Sequence, residues 1–105
     1  MTHEQIDFIN SQTNDIKRIM NVDNVKLTID VDNDDVEEYI YTMSFVYQKH
    51  FHIDVQHVEE AAIYRVVITI PCLTEDKVFD LPLTHDGGIL AVLMLIKNIC
   101  AMADF

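Results

Sequence analysis

The residues best suited to chemistry stand together in the run His50-Phe51-His52-Ile53-Asp54, with His57 three positions on. On an extended chain, alternate side chains point to opposite faces. His50, His52 and Asp54 would then share one face, while Phe51, Ile53 and Val55 take the other. Two imidazoles and a carboxylate on one face form a donor set for zinc or a similar ion. His85 and Asp86, beside Gly87-Gly88, would complete it. The same spacing also describes the polar side of an edge strand that faces water.

The order of these residues resembles the His-x-His-x-Asp-His of metallo-β-lactamase-like hydrolases. Val55 stands where the last His of that motif belongs, and 105 residues are far too few for that fold. The cupin His-x-His is similar as well, but Gln56 or His57 stands at its downstream Glu, and its glycines are missing. Asp30-Val31-Asp32-Asn33-Asp34-Asp35-Val36-Glu37-Glu38 resembles a calcium loop in its alternating acids. Counted from Asp30, the sixth position is Asp35 in place of Gly, the eighth is Glu37 in place of an apolar residue, and the twelfth is Tyr41 in place of Glu. Without those three positions, the run reads as an acidic turn that caps the next element, or as a patch for a basic partner. The patch is the functional expectation. Its residues are Asp30, Asp32, Asp34, Asp35, Glu37 and Glu38, with Tyr41 and Phe45 as exposed aromatic anchors.

Nucleophilic catalysis has little support. Cys72 and Cys100 carry no neighbouring base, and Ser11 and Ser44 lie in no elbow motif. Gly87-Gly88 lacks the Lys-Ser or Lys-Thr of a P-loop and the third Gly of a dinucleotide fingerprint. The pair instead gives the chain freedom to turn into its last helix. No cofactor is expected and no metal is assigned.

Charge narrows the choice of partners. Eighteen acids against seven bases give a formal charge of −11. The bases (Lys17, Arg18, Lys26, Lys49, Arg65, Lys77 and Lys97) are scattered along the sequence, whereas a nucleic-acid or membrane-surface binder needs a basic stripe. Half of the residues are apolar, enough for a hydrophobic core, so disorder is not expected despite the charge. Two unpaired-looking cysteines and an N-terminus without a basic start and apolar stretch point to the cytoplasm.

The elements that must position these groups follow from periodicity. Residues 3–21 read as a helix, with Ile6, Ile9, Ile16 and Met20 at helical spacing and Phe8 and Ile19 beside them. Residues 25–31 alternate as a strand. Residues 36–49 fit two patterns. As a strand, Tyr39, Tyr41, Met43, Phe45 and Tyr47 share a face; as a helix, Val36, Tyr39, Ile40, Met43, Val46 and Tyr47 form a stripe. Acids at its start and Lys49 and His50 at its end favour the helix, which also leaves only Tyr41 and Phe45 off the apolar stripe. Phe51, Ile53 and Val55 begin a strand that pairs as a hairpin with 62–70, and Pro71 ends the hairpin. Residues 77–81 add another strand. Residues 89–102 read as a helix capped by Thr84 or Asp86. Its main apolar face carries Ile89, Val92, Leu93, Leu95, Ile96, Ile99 and Cys100, with Leu90 and Met94 on the far side beside Ala91, Ala101, Lys97 and Asn98. That far side fits a homodimer seam, a groove for a partner, or cover by helix 3–21. Lys97 and the shortness of the run exclude a membrane span, which needs about 20 apolar residues.

The expected fold is one α+β domain over residues 1–105: a small antiparallel sheet of three to five strands packed with an N-terminal and a C-terminal helix. The expected function is a non-enzymatic, acidic protein-binding module of the inhibitor, immunity or anti-defence type. It would engage a basic surface such as the nucleic-acid site of a nuclease, an interference enzyme or a polymerase. In size and charge alone the chain resembles small acidic immunity proteins, phage-encoded inhibitors and DNA mimics. The alternatives are a dimeric acidic secretion-type chaperone and a small metal-dependent enzyme built on His50, His52 and Asp54.

Overall fold

The computed structural model describes residues 3–31, 39–58, 61–70, 76–83 and 87–102. The chain runs α1 (His3–Met20), β1 (Lys26–Val31), β2 (Tyr39–Tyr47), β3 (Phe51–Val58), β4 (Ile63–Thr69), β5 (Lys77–Pro82) and α2 (Gly88–Met102). The five strands form one antiparallel sheet in sequence order, each hydrogen-bonded to its neighbour in the chain. Both helices contribute to the core on one face of this meander. It is the α+β architecture expected, with the largest strand count allowed.

Residues 39–47 are a strand, where the termini of the segment argued for a helix. The aromatic and β-branched run Tyr39-Ile40-Tyr41-Thr42 fits a pleated surface better than a helical one. Two partners fix it: Tyr41 lies opposite Ile29 on β1 and opposite His57 on β3. The basic Lys49 and exposed His50, which looked like a helix end, belong instead to the tight β2–β3 turn. There Gln48 and Lys49 take φ of 52° and 66°, and the His50 amide donates to the Tyr47 carbonyl.

Strict alternation sorts the sheet. Tyr41, Met43 and Phe45 on β2, Phe51, Ile53, Val55 and His57 on β3, and Tyr64, Val66 and Ile68 on β4 all point into the core. From the helices come Ile9, Gln12, Ile16 and Met20 of α1 and Ile89, Val92, Leu93, Ile96 and Cys100 of α2. Two apolar residues expected on buried stripes are exposed: Ile6 on α1 and Leu95 on α2. Leu27 and Ile29 of the edge strand β1 share the core-facing side by register but remain partly open to solvent.

Local signals end the helices as chemistry requires. Asn21 takes φ 54° after α1, and the Val22 amide donates to the Lys17 carbonyl at 3.2 Å. This is the left-handed cap that satisfies a helix's last carbonyls. Before α2, a Cβ on Gly87 would meet the Ala91 Cβ at 2.7 Å, and Gly88 takes φ +52°. The glycine pair thus makes the turn into the last helix, while Thr84 and Asp86, the proposed caps, lie outside the described residues. No helix among the described residues is long and apolar enough to cross a membrane.

Candidate functional site

The meander sends its connections to two opposite ends. Residues 32–38 join β1 to β2 between the register partners Val31 and Tyr39. The link from β3 to β4 lies at the same end, β5 leaves the sheet there, and the first turns of α1 lie toward it. The β2–β3 turn, the β4–β5 connection and the end of α1 belong to the other end.

This topology separates the charges. The acids Asp32, Asp34, Asp35, Glu37, Glu38, Glu59, Glu60 and Asp86 lie outside the described residues. Among the described acids, Asp30 near the end of β1 and Glu4 and Asp7 early in α1 stand toward the first end. The half of the sheet toward this end also holds Asp80 and a single base, Arg65. Their side chains pair across β4 and β5 at 2.9 and 3.2 Å. That hydrogen bond holds the Asp80 carboxyl below its usual range. Toward the other end stand Lys17, Arg18, Lys26, Lys49, Lys77 and Lys97, with Asp15, Asp23, Asp54 and Asp76 among the described acids. Six of the seven bases therefore stand toward one end of the sheet, and only Arg65, paired with Asp80, stands in the half toward the other.

Tyr41 and Phe45 do not flank this patch as exposed anchors. They are 0% and 5% exposed, on the core face of β2. The expectation of exposure rested on a helix, and the strand reverses it, because period-2 alternation turns both rings inward.

Tyr41 instead belongs to a polar row inside the core. Tyr41, His57 and Tyr64 are consecutive cross-strand partners on β2, β3 and β4. The His57 ring stacks on Tyr41 with centroids 4.6 Å apart and meets Tyr64 edge-on at 5.4 Å. Phe8 of α1 approaches the same imidazole at 6.4 Å. Gln12 sits above the row, accepting from the Tyr41 hydroxyl and donating 2.6 Å to the Tyr64 oxygen. Burial raises the Tyr64 pKa, and the Gln12 bond partly offsets this. Two signals in the sequence could have found the row. His57 continues the alternation of Phe51, Ile53 and Val55, and Gln12 falls on the stripe of Ile9 and Ile16.

The metal candidates separate. His52 and Asp54 point away from the core on β3, while His50 sits in the β2–β3 turn. His52 and Asp54 line an open cleft of about 710 Å³ at the β2–β3 turn end of the sheet, together with Lys26, Ser44 and Lys49. Its lining holds both cations and carboxylates, Lys26 and Lys49 with Asp23 and Asp54. Among the described residues no three His, Cys, Asp or Glu side chains gather as a metal would need. His85 and Asp86 lie outside the described residues, as does Cys72. Cys100 is free and buried, and burial pushes its thiol up to about 11, so it is a poor nucleophile.

No protein-family model, curated protein or solved structure matches the chain.

Proposed function

We propose that this protein is a non-enzymatic binding module that engages a basic surface of a partner protein through the acidic end of its sheet. The observation that carries this reading is that six of the seven bases stand toward one end of the sheet, leaving toward the other only Arg65, which pairs with Asp80. A concentrated field of one sign steers a partner of the opposite sign and fixes its orientation on approach. In this reading the acidic run Asp30, Asp32, Asp34, Asp35, Glu37 and Glu38 is the centre of the binding surface. A partner surface built for phosphates, such as the nucleic-acid site of a nuclease, an interference enzyme or a polymerase, has the chemistry to match. The free Cys100 thiol accords with action in the cytoplasm, where thiols stay reduced.

The test is capture of binding proteins from native lysate at low and high salt, in parallel with a variant carrying Asp32→Asn, Asp34→Asn, Asp35→Asn and Glu38→Gln. A basic protein retained by the wild type at low salt, and lost both with salt and with the variant, supports the proposal. A partner held equally by both proteins through high salt overturns it, and directs attention to apolar surfaces of the chaperone type.

A further inference from the structure

β1 pairs with β2 on one side and with no strand among the described residues on the other. No hydrogen bond among the described residues reaches its outer backbone. Register opposite Met43 and Tyr41 puts Leu27 and Ile29 on the core-facing side. Met43 and Tyr41 are fully buried, yet Leu27 and Ile29 each remain 39% exposed. The core is thus unfinished along this margin, and Lys26 and Thr28 on the other face are exposed as well. An edge with open backbone groups and half-open apolar side chains is a template for another strand. The opposite edge, β5, is blunted, because it ends in Pro82, which has no amide to donate.

We propose that β1 pairs with β1 of a second copy, antiparallel about a two-fold axis through Thr28, joining two five-stranded sheets edge to edge. The inference stands apart from the partner-binding proposal above. The sequence of β1 selects this occupant. Residues along a strand offer their backbone groups to alternate sides, so across a shared edge even positions face even and odd face odd. Under that rule Lys26-Leu27-Thr28-Ile29-Asp30 is its own complement. Lys26 stands opposite Asp30 of the second copy, Leu27 opposite its Ile29, and Thr28 opposite its Thr28. The two-fold repeats each unlike pair, which makes two opposite-charge pairs on one face and two apolar pairs on the other. Centring the axis on Leu27 or Ile29 keeps the apolar match and loses the charge match, since Lys26 or Asp30 then faces Thr28. β5 has no such arrangement: Lys77 and Asp80 are an odd and an even position, so self-pairing never sets them opposite. An axis normal to the sheet also leaves the helices of both copies on the same face. Leu27 and Ile29 of each copy then close the open margin of the other's core. Opposite-charge and apolar cross-strand pairs both favour association, and a self-complementary two-fold contact closes on itself as a dimer. The net charge of −11 per copy works against it. At about 0.15 M salt, charges farther apart than ~8 Å are largely screened, which leaves the close pairs at the seam to decide.

Sedimentation equilibrium of the purified protein at that salt, over a wide concentration range, reads the monomer–dimer balance. The wild type is expected to dimerise. Lys26→Glu and Asp30→Lys each set like charges opposite one another twice, and each should weaken self-association roughly tenfold or more. Mixing the two variants restores both opposite-charge pairs, so a one-to-one heterodimer of wild-type strength is the expected product. Circular dichroism checks that each variant folds. A wild type that stays monomeric throughout, or folded variants that self-associate like the wild type, overturns the proposal. Disulfide trapping reads the register without the charge variants. Thr28→Cys, opposite itself at the axis and within disulfide reach, should self-link under mild oxidation, and the wild type with its native thiols should not. Self-linked Leu27→Cys or Ile29→Cys, with Thr28→Cys left unlinked, overturns the pairing.

Discussion

The Tyr41 hydroxyl donates to the Gln12 side-chain oxygen at 2.5 Å, between residues 29 positions apart in sequence and both closed to solvent. The same amide donates to Tyr64, so one α1 side chain ties together β2 and β4, two strands apart. Buried polar groups are costly unless bonded. This arrangement fixes where α1 sits on the sheet as no set of apolar contacts would.

Gln12→Leu keeps the volume and removes both bonds. It is expected to destabilise the fold by about 2 kcal/mol or more, since each buried bond lost leaves a desolvated group behind. Adding Tyr64→Phe to Gln12→Leu should recover part of the loss, because the phenol then has no oxygen to satisfy. Urea denaturation of the two variants beside the wild type measures both steps. A Gln12→Leu protein as stable as the wild type would show that the apolar contacts alone hold α1.

Leu90 and Leu93 lie three residues apart on α2 with opposite surroundings: 45% exposed against 0%. Leu93→Asp places a carboxylate among Ile96, Val92 and the sheet, with no cation in the buried set, and is expected to unfold the protein. Leu90→Asp should change stability by less than about 1 kcal/mol. Thermal melts of the pair provide the check, and a folded Leu93→Asp would mean that α2 is not part of the core.

Parts of this fold are legible in the residues themselves. The alternation of Phe51, Ile53 and Val55 and of Tyr64, Val66 and Ile68 states the β3–β4 hairpin, because one slip of register would expose every apolar side chain. β2 was obscured by its ends. Acids before Tyr39 and cations after Tyr47 mimic helix caps, and only pairing with β1 and β3 decides the matter. Leu95 looked like core by helical spacing, yet it lies beyond the edge of what the sheet and α1 cover. For the candidate site, composition showed the acids and bases but not that six of the seven bases stand toward one end. That follows from the sheet being a meander, which returns alternate connections to the same side. The alternation placed His57 on the core face, but its pairing with Tyr41 and Tyr64 depends on cross-strand register.

Cys100 gives the fold an alkaline limit. Burial of the thiol raises its pKa from 9.0 to about 11. Tyr47 is raised too, first by its own burial and then by the charge of a Cys100 thiolate. A thiol whose folded pKa lies above its unfolded value stabilises the fold fully below pH 9 and loses that contribution as pH rises toward 11. The urea midpoint should therefore fall across that interval, and fall less steeply in Cys100→Ala. Equal slopes in the two proteins would assign the alkaline loss to other groups.

The acidic end makes the most direct demand. Like charges close together in sequence repel, so replacing Asp32, Asp34, Asp35 and Glu38 by their amides should leave stability unchanged or raise it slightly. If those carboxylates steer a basic partner, the same change should slow association by about tenfold or more at low salt. It should also flatten the dependence of the rate on salt, while dissociation changes less. Stopped-flow or surface-based kinetics with the captured partner separates the two rates. An association rate that the four substitutions leave unchanged would remove the acidic end as the binding surface. A fall in stability would instead give these carboxylates a role in closing the β1–β2 connection, between Val31 and Tyr39.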